Sequence, residues 1–125
     1  MNIVFYRFIL LMLIFSPASA SSATEHVTDL TPENIKMMYI HTNQHSIVGV
    51  QNIAVIEVEN ASVLLPLNTA TCSNGLWIDA SKDAATYSML LTAITAKKNI
   101  NILYTENPSP WNIVSYCEII RVGIK

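Results

Sequence analysis

The sequence predicts a mainly β fold of the α+β type, with one long helix among the strands. Three observations support this prediction. Apolar residues alternate with a period of two from Gly49 to Glu59, which is the pattern of a strand. From Lys82 to Lys98 the apolar residues recur at helical spacing, and from Ile100 to Thr105 the period returns to two.

The strands and the helix occur in an informative order. Predicted strands cover, in turn, Ile35 to Thr42, Gly49 to Glu59, Ser62 to Leu67, Ile100 to Thr105 and Ile113 to Val122. Residues 21–30 are polar and are expected to be loosely held. The helix lies between strands three and four, as in a five-stranded Greek-key barrel of the oligonucleotide/oligosaccharide-binding type (OB-fold). An open α+β sheet with the same element order is the alternative.

The residues at the two ends of the helix are typical of helix boundaries. Asp79 and Ser81 are both suitable N-caps, and Asp83 suits the first turn because of the helix dipole. Lys97 and Lys98 suit the last turn, and Asn99 is expected to end the helix in a left-handed conformation.

The first twenty residues are predicted to be a signal peptide. Arg7 charges a short n-region, residues 8–15 form an apolar run, and Ala18-Ser19-Ala20 offers a cleavage site. The run is too short for a transmembrane helix, which needs about 20 apolar residues. We therefore expect a signal peptide over residues 1–20 and one mature domain over residues 21–125. The mature protein is expected to be secreted or periplasmic, without membrane insertion.

The charge balance argues against a nucleic-acid partner. Once Arg7 is removed, six basic side chains remain against nine acidic ones. Proteins that bind nucleic acid normally present a basic face, and here the only basic pair is Lys97-Lys98. With 51% hydrophobic and 13% charged residues, the chain is expected to fold rather than to be disordered.

Cys72 and Cys117 are the only cysteines, so an exported chain has one possible intramolecular disulfide. That bridge would close a loop of roughly 45 residues and contribute about 3–4 kcal/mol. A free buried pair and an intermolecular bridge are the alternatives. No histidine or second cysteine lies at zinc-ligand spacing from either sulfur.

No residue pattern indicates an enzyme. The sequence has no glycine-rich phosphate loop, no Gly-x-Ser-x-Gly elbow and no His-Glu-x-x-His motif. His41 and His45 would align as metal ligands on a helix, but their segment is predicted as strand and turn, which favours solvated turn histidines. Asp79 and Asp83 resemble a carboxylate pair, yet helix capping accounts for both. We expect no catalytic residues, no metal and no cofactor.

Aromatic residues with polar edges are frequent and favour surface recognition. They are Tyr39, Trp77, Tyr87, Tyr104, Trp111 and Tyr116. Aromatic rings pack on sugar faces, while hydroxyl and amide groups satisfy sugar oxygens. Trp77 and Tyr87 are interpreted as core residues. Trp111, in a proline-flanked loop, and Tyr104, at the end of the preceding strand, are candidate glycan-binding residues.

The segment from Trp77 to Trp111 resembles the B subunits of pertussis-like pentameric toxins, such as those of subtilase cytotoxin and typhoid toxin. In that family a tryptophan is followed by a helix, a strand and a loop that contains proline and tryptophan. The same order is found here in Trp77, Ser81–Lys98, Ile100–Tyr104 and Pro108-Ser109-Pro110-Trp111. Upstream, His41-Thr42-Asn43-Gln44 is similar to the His-Thr-Gly-Gln that ends the first strand of the subtilase subunit.

The resemblance implies a barrel-fold B subunit that assembles as a homopentamer. Such a ring binds host cell-surface glycans, often sialylated, and delivers a separate enzymatic A subunit. The C-terminal tail of the A subunit enters a pore that the B-subunit helices line. The family's second cysteine pair has no counterpart here, which leaves one bridge.

The resemblance also implies positions for the sugar contacts. The family's strand-ending tyrosine matches Tyr104. A serine hydroxyl before the first strand, with an aspartate four residues ahead of it, completes the family's sialic-acid site. Alignment on His41-Thr42 places Asp29 at the aspartate and Glu33 at the serine. A shift of two residues instead places Thr31 at the serine, which preserves the hydroxyl.

A second function from another class is compatible with the same sequence. A periplasmic or secreted OB-fold-like domain could bind a protein partner or act as a scaffold in an envelope assembly. This alternative requires the fold and the disulfide but no pentamer.

Overall fold

The computed structural model describes residues 24–65, 72–111 and 115–125. Its strands are β1 (Glu25–Leu30), β2 (Ile35–Ile40), β3 (Ile53–Val58), β4 (Gly75–Asp79), β5 (Ile100–Pro108) and β6 (Tyr116–Ile124). Its helices are α1 (Ala61–Leu64) and α2 (Ala84–Thr95). The predicted signal peptide lies outside the described residues. No helix within those residues has the length and apolarity needed to span a bilayer.

The six strands form one mixed sheet in the order β1-β5-β6-β4-β3-β2. β4 and β6 are parallel, and every other neighbouring pair is antiparallel. The mainly β prediction is therefore confirmed, together with one long helix, which lies between β4 and β5. The sheet has six strands rather than five, so the predicted five-stranded barrel is not confirmed.

The additional strand is β1, which falls in the segment predicted to be loosely held. It pairs with β5 along its whole length, from Glu25 opposite Thr105 to Leu30 opposite Ile100. Only Thr28 and Leu30 of the strand are buried. The sequence of β1 is therefore too polar to predict a strand, and its partner, far along the chain, supplies the pairing.

The predicted strand over residues 62–67 is wrong where the structure describes it. Asn60 adopts a left-handed conformation with φ of 52°, and the chain then forms α1. Ala61 and Leu65 are buried, and the Thr28 hydroxyl donates a hydrogen bond of 2.7 Å to the Leu64 carbonyl oxygen. The next strand after β3 is instead β4. Residues 66–71, which include the rest of the predicted strand, lie outside the described residues.

Helix α2 is shorter than the predicted Lys82–Lys98 stretch because both of its ends are turns. At the start, Asp79 Oδ1 accepts hydrogen bonds from the Ser81 amide, the Ser81 hydroxyl and the Lys82 amide at 3.0, 2.6 and 3.1 Å. Burial raises the pKa of Asp79, but these hydrogen bonds together outweigh it and leave the pKa below its ordinary value. At the end, Lys97 rather than Asn99 takes the left-handed position, with φ of 53°.

The main core lies between the sheet and α2. The helix contributes the buried side chains Leu90 and Ala93, with Tyr87 and Ile94 partly buried beside them. Tyr104 belongs to the same core. The disulfide between Cys72 and Cys117 is formed, with the two Cα atoms 5.0 Å apart, and it joins the segment before β4 to β6. The intramolecular pairing is the one predicted.

Gly75 at the start of β4 is expected to tolerate no side chain. Its φ is +154°, and a Cβ atom there would lie 1.9 Å from the Ile56 carbonyl oxygen, which belongs to a central strand and cannot move aside. Gly75→Ala should therefore lower the free energy of unfolding by about 2–3 kcal/mol, measured by chemical denaturation.

Gly49 provides the matched control, since a Cβ there meets nothing within 4 Å. Gly49→Ala should leave the unfolding midpoint unchanged or raise it slightly. Equal midpoints for Gly75→Ala and wild type would contradict the prediction.

Candidate ligand-binding site

The residues predicted to bind a glycan lie in four different places. Thr31 and Glu33 line one cavity and Trp111 lines another. Asp29 lies on the exposed surface of the sheet, and Tyr104 is in the core. The structure therefore brings only Thr31 and Glu33 together.

Tyr104 does not present a ring to solvent. Its relative exposure is 0%, and its ring stacks on His26 with the centroids 5.6 Å apart. Burial and then the Glu106 charge raise the pKa of the Tyr104 hydroxyl, which has no hydrogen-bond partner among the described residues. The expected exposure is not found, because β5 continues to Pro108 and β1 pairs alongside it.

Asp29 forms hydrogen bonds on the protein surface, near the ends of β1, β5 and β6. Its carboxylate accepts hydrogen bonds from Asn101 Nδ2 at 2.8 Å and from Lys125 Nζ at 2.6 Å. These two partners lower the pKa of Asp29, Lys125 first. Since the group is exposed, the pair is screened by water and adds little to stability. Its hydrogen-bonding capacity is largely used within the protein.

Thr31 and Glu33 line a cavity of about 340 Å³, here called the lysine cavity. It is lined by Thr31, Pro32, Glu33, Ile35, Ile94, Lys97, Lys98 and Ile100. The Thr31 hydroxyl already donates to Asn34 Oδ1 at 3.0 Å. A hydrogen bond from its own backbone amide lowers the pKa of Glu33, so a carboxylate shares this cavity with the two lysines.

The second cavity, of about 330 Å³, is here called the aromatic cleft. It is lined by Tyr39, His41, His45, Ile47, Val50, Trp111 and Tyr116. Tyr39 is the last residue but one of β2, the two histidines lie in the segment that follows β2, and Tyr116 begins β6. A second apolar cluster supports the cleft from beneath, formed by Ile53, Val55, Trp77 and Tyr116.

His41 is at the centre of the rings in the aromatic cleft. Its centroid lies 4.8 Å from that of His45, 5.5 Å from Tyr39 and 5.9 Å from Trp111, each in an edge-on arrangement. Trp111 in turn lies 5.8 Å from Tyr116. Burial, and then the proximity of His45, lower the pKa of His41, so its imidazole is neutral at pH 7.

Hydrogen bonds hold the walls of the aromatic cleft. Tyr116 Oη donates to Glu57 Oε1 at 3.3 Å, and burial, followed by Tyr39 and Glu57, raises the pKa of Tyr116 well above its ordinary value. Below the cleft, Trp77 Nε1 donates to the Asn107 carbonyl oxygen at 3.2 Å. These hydrogen bonds therefore fix the orientation of the Tyr116 phenol and of the Trp77 indole.

The turn that carries the histidines is tied down at several points. His45 Nδ1 accepts a hydrogen bond of 3.1 Å from the Ile47 amide, and Gln51 Nε2 donates to the His45 carbonyl oxygen at 2.9 Å. The Asn52 amide donates to the His41 carbonyl oxygen at 2.7 Å. The histidines were predicted to be solvated, but both are half-buried and packed together. Among the described residues, no cluster of three metal-ligating side chains is found.

No protein-family model, curated protein or solved structure matches this chain. The chemistry of the aromatic cleft therefore has to be argued from its own side chains. It offers half-buried rings for apolar contact and imidazole and phenol groups for hydrogen bonding. Of the residues in this cleft, only Trp111 was predicted to bind a ligand. Tyr39 and Tyr116 stood out only as aromatic residues, and His41 and His45 were predicted to be solvated. The one available signal was the spacing of Tyr39 and His41, which places both on one face of a strand.

Proposed function

We propose that this chain is an exported, non-enzymatic protein that binds a glycan in the aromatic cleft. The observation that carries the proposal is the convergence of Tyr39, His41, Trp111 and Tyr116 on one open cavity. A sugar presents an apolar C–H face and a polar rim, so it needs a ring to pack against and polar groups around that ring. The cleft supplies both.

The order of the strands supports a closed Greek-key barrel. β1 and β2 are consecutive in the chain but lie at opposite ends of the sheet order. Only the turn over residues 31–34 separates them. If they are two halves of one bent first strand, the strands run around a ring as first, β3, β4, β6, β5 and first again. A five-stranded barrel of the OB type has this form.

The family resemblance extends the proposal to a toxin B subunit that forms a ring of five and carries an enzymatic A subunit. Support comes from α2, where Met89 and Leu91 are exposed although apolar. A shallow cavity lined by Leu91, Thr92, Thr95 and Ala96 lies on the same helix. A helix face of this kind suits burial against neighbouring helices around a pore. Five copies of a weak sugar site would also raise avidity on a cell surface.

Native mass spectrometry of the mature protein tests the ring. A pentamer at micromolar concentration would support the B-subunit proposal. A monomer would favour the second candidate function, a scaffold domain that binds a protein partner. The exposed residues Ile47 and Val48, beside the aromatic cleft, favour that candidate because they form an apolar rim that a protein surface could cover.

A glycan array tests the binding proposal and locates the site. We expect wild-type protein to bind a subset of sugars and His41→Ala to lose them, because His41 contacts three other rings of the cleft. The double variant Lys97→Ala/Lys98→Ala is the matched control and should bind the same subset. If the lysine variant alone loses binding, the sugar is an acidic one held in the lysine cavity. If no sugar binds wild-type protein, the proposal fails.

A further inference from the structure

We infer that the aromatic cleft binds an uncharged sugar only while His45 is neutral, and releases it when acid protonates that imidazole. The inference rests on the proposed glycan-binding function and adds its ligand class and its regulation. It follows from the hydrogen bond that His45 makes and from the charges that surround the cleft.

The hydrogen bond of His45 requires a neutral ring. Its Nδ1 accepts the Ile47 amide hydrogen at 3.1 Å, and a nitrogen can accept only while it carries no proton. The single proton of the neutral imidazole is therefore on Nε2, where it is a donor and not a metal ligand. This bond closes the turn that positions Ile47 in the wall of the cleft.

Protonation changes Nδ1 of His45 from a hydrogen-bond acceptor to a donor. The N–H group of Nδ1 and the N–H group of Ile47 would then face each other. Two donors cannot form a hydrogen bond, so the bond is lost and the two groups repel each other. Histidine is the side chain that most commonly serves as a proton-driven switch in proteins. The wall of the cleft therefore loosens at the point where Ile47 meets the ligand.

The described lining of the cleft holds no carboxylate that would offset a positive charge on His45. His45 packs edge-on against His41, and the other titratable side chains that line the same cleft are Tyr39 and Tyr116. The carboxylate of Glu57, on the supporting strand β3, already accepts a hydrogen bond from the Tyr116 hydroxyl. Among the described residues that line the cleft, none is Lys, Arg, Asp or Glu. A second charge on His41, 4.8 Å away, would add repulsion.

The titration of His41 acts in the same direction. Its pKa is lowered in the folded protein, so the folded state binds fewer protons than the unfolded state as the pH falls below the ordinary histidine range. The stability that this group contributes is present above that range and is lost as the pH falls through the lowered pKa. Acid therefore weakens the cleft at both histidines.

The sign of the pH dependence identifies the ligand class. A cleft without cations is suited to an uncharged sugar, whose affinity falls as the wall loosens. An acidic sugar would instead gain an ion pair from a protonated histidine, and its affinity would rise in acid. An increase in affinity on acidification would therefore overturn the inference.

The experiment is a titration of sugar affinity from about pH 7.5 to about pH 5, using uncharged sugars found on the array. We expect wild-type affinity to fall by about tenfold or more over this range. His45→Asn should show a clearly smaller fall than wild type, because an asparagine Oδ1 also accepts the amide two residues later but does not titrate, which leaves only the contribution of His41. His26→Gln should keep the wild-type profile, since His26 is on β1, 3.5 Å from Glu106 of β5, and does not line the cleft. A flat wild-type profile, or the same fall in His45→Asn, would overturn the inference.

Hydrogen exchange at the Ile47 amide, without any sugar, separates this inference from the glycan proposal. Its protection factor should fall in acid for wild type and stay constant for His45→Asn. If no sugar binds at any pH but the protection factor falls, the switch exists and the glycan proposal fails. If protection is independent of pH, the switch is excluded whatever the protein binds.

Discussion

Trp111→Ala is expected to lower glycan affinity by roughly 30-fold while the protein stays folded. The indole is half-buried, lines the aromatic cleft and packs edge-on against His41. Burial of one sugar face on an aromatic ring is worth about 2 kcal/mol at the usual value per unit of apolar area, which corresponds to this change in Kd. Isothermal titration with a sugar selected on the array would measure it.

Two further variants make the Trp111 result specific. Trp111→Phe keeps a ring at the site and should retain most of the affinity. Val63→Ala removes an apolar group of 73% exposure from α1, which does not line the cleft, and should change nothing. Unchanged affinity in Trp111→Ala, with an unchanged unfolding midpoint, would exclude the aromatic cleft as the sugar site.

Local patterns predicted the elements whose burial is visible in their own residues. β3 is apolar at every position except Glu57 and is buried on both faces, and α2 carries Tyr87, Leu90 and Ile94 on one face. β5 also follows from its period of two. In each of these segments the apolar spacing matches the geometry of the element, so no distant partner is needed to recognise it.

The elements that were missed depend on distant contacts. β1 has only two buried residues and is a strand because β5 pairs with it. The segment after Asn60 has the composition of a strand, yet a left-handed residue and the Thr28 hydrogen bond to Leu64 make it helical. Neither contact leaves a local signal, so the sequence could not indicate them.

The aromatic cleft was missed for a related reason. Its residues come from β2, from the turn after it, from the loop at Trp111 and from β6, and only the fold brings these together. Trp111 was recognised because a tryptophan in a loop is conspicuous by itself. The histidines were predicted to be solvated, because their spacing gives no sign of the tryptophan and tyrosine rings that pack against them.

Variants of Tyr104 distinguish two interpretations of this residue. The family resemblance implies that it contacts a sugar, whereas the structure places it in the core. If the tyrosine contacted a sugar, Tyr104→Ala would abolish binding and leave the stability unchanged. The structure predicts the reverse. Since the ring is wholly buried in the main core, Tyr104→Ala should lower the free energy of unfolding by about 3–5 kcal/mol, the range for deletion of a large core aromatic side chain.

Tyr104→Phe is the decisive variant because it removes only the hydroxyl. That group is buried and has no hydrogen-bond partner among the described residues, so its removal ends a desolvation cost without breaking a bond. We expect stability equal to wild type or higher by up to about 1 kcal/mol, with glycan affinity unchanged. Loss of affinity in this stable variant would mean that the hydroxyl reaches the sugar and that β1 moves aside to expose it. The aromatic cleft would then no longer account for binding alone.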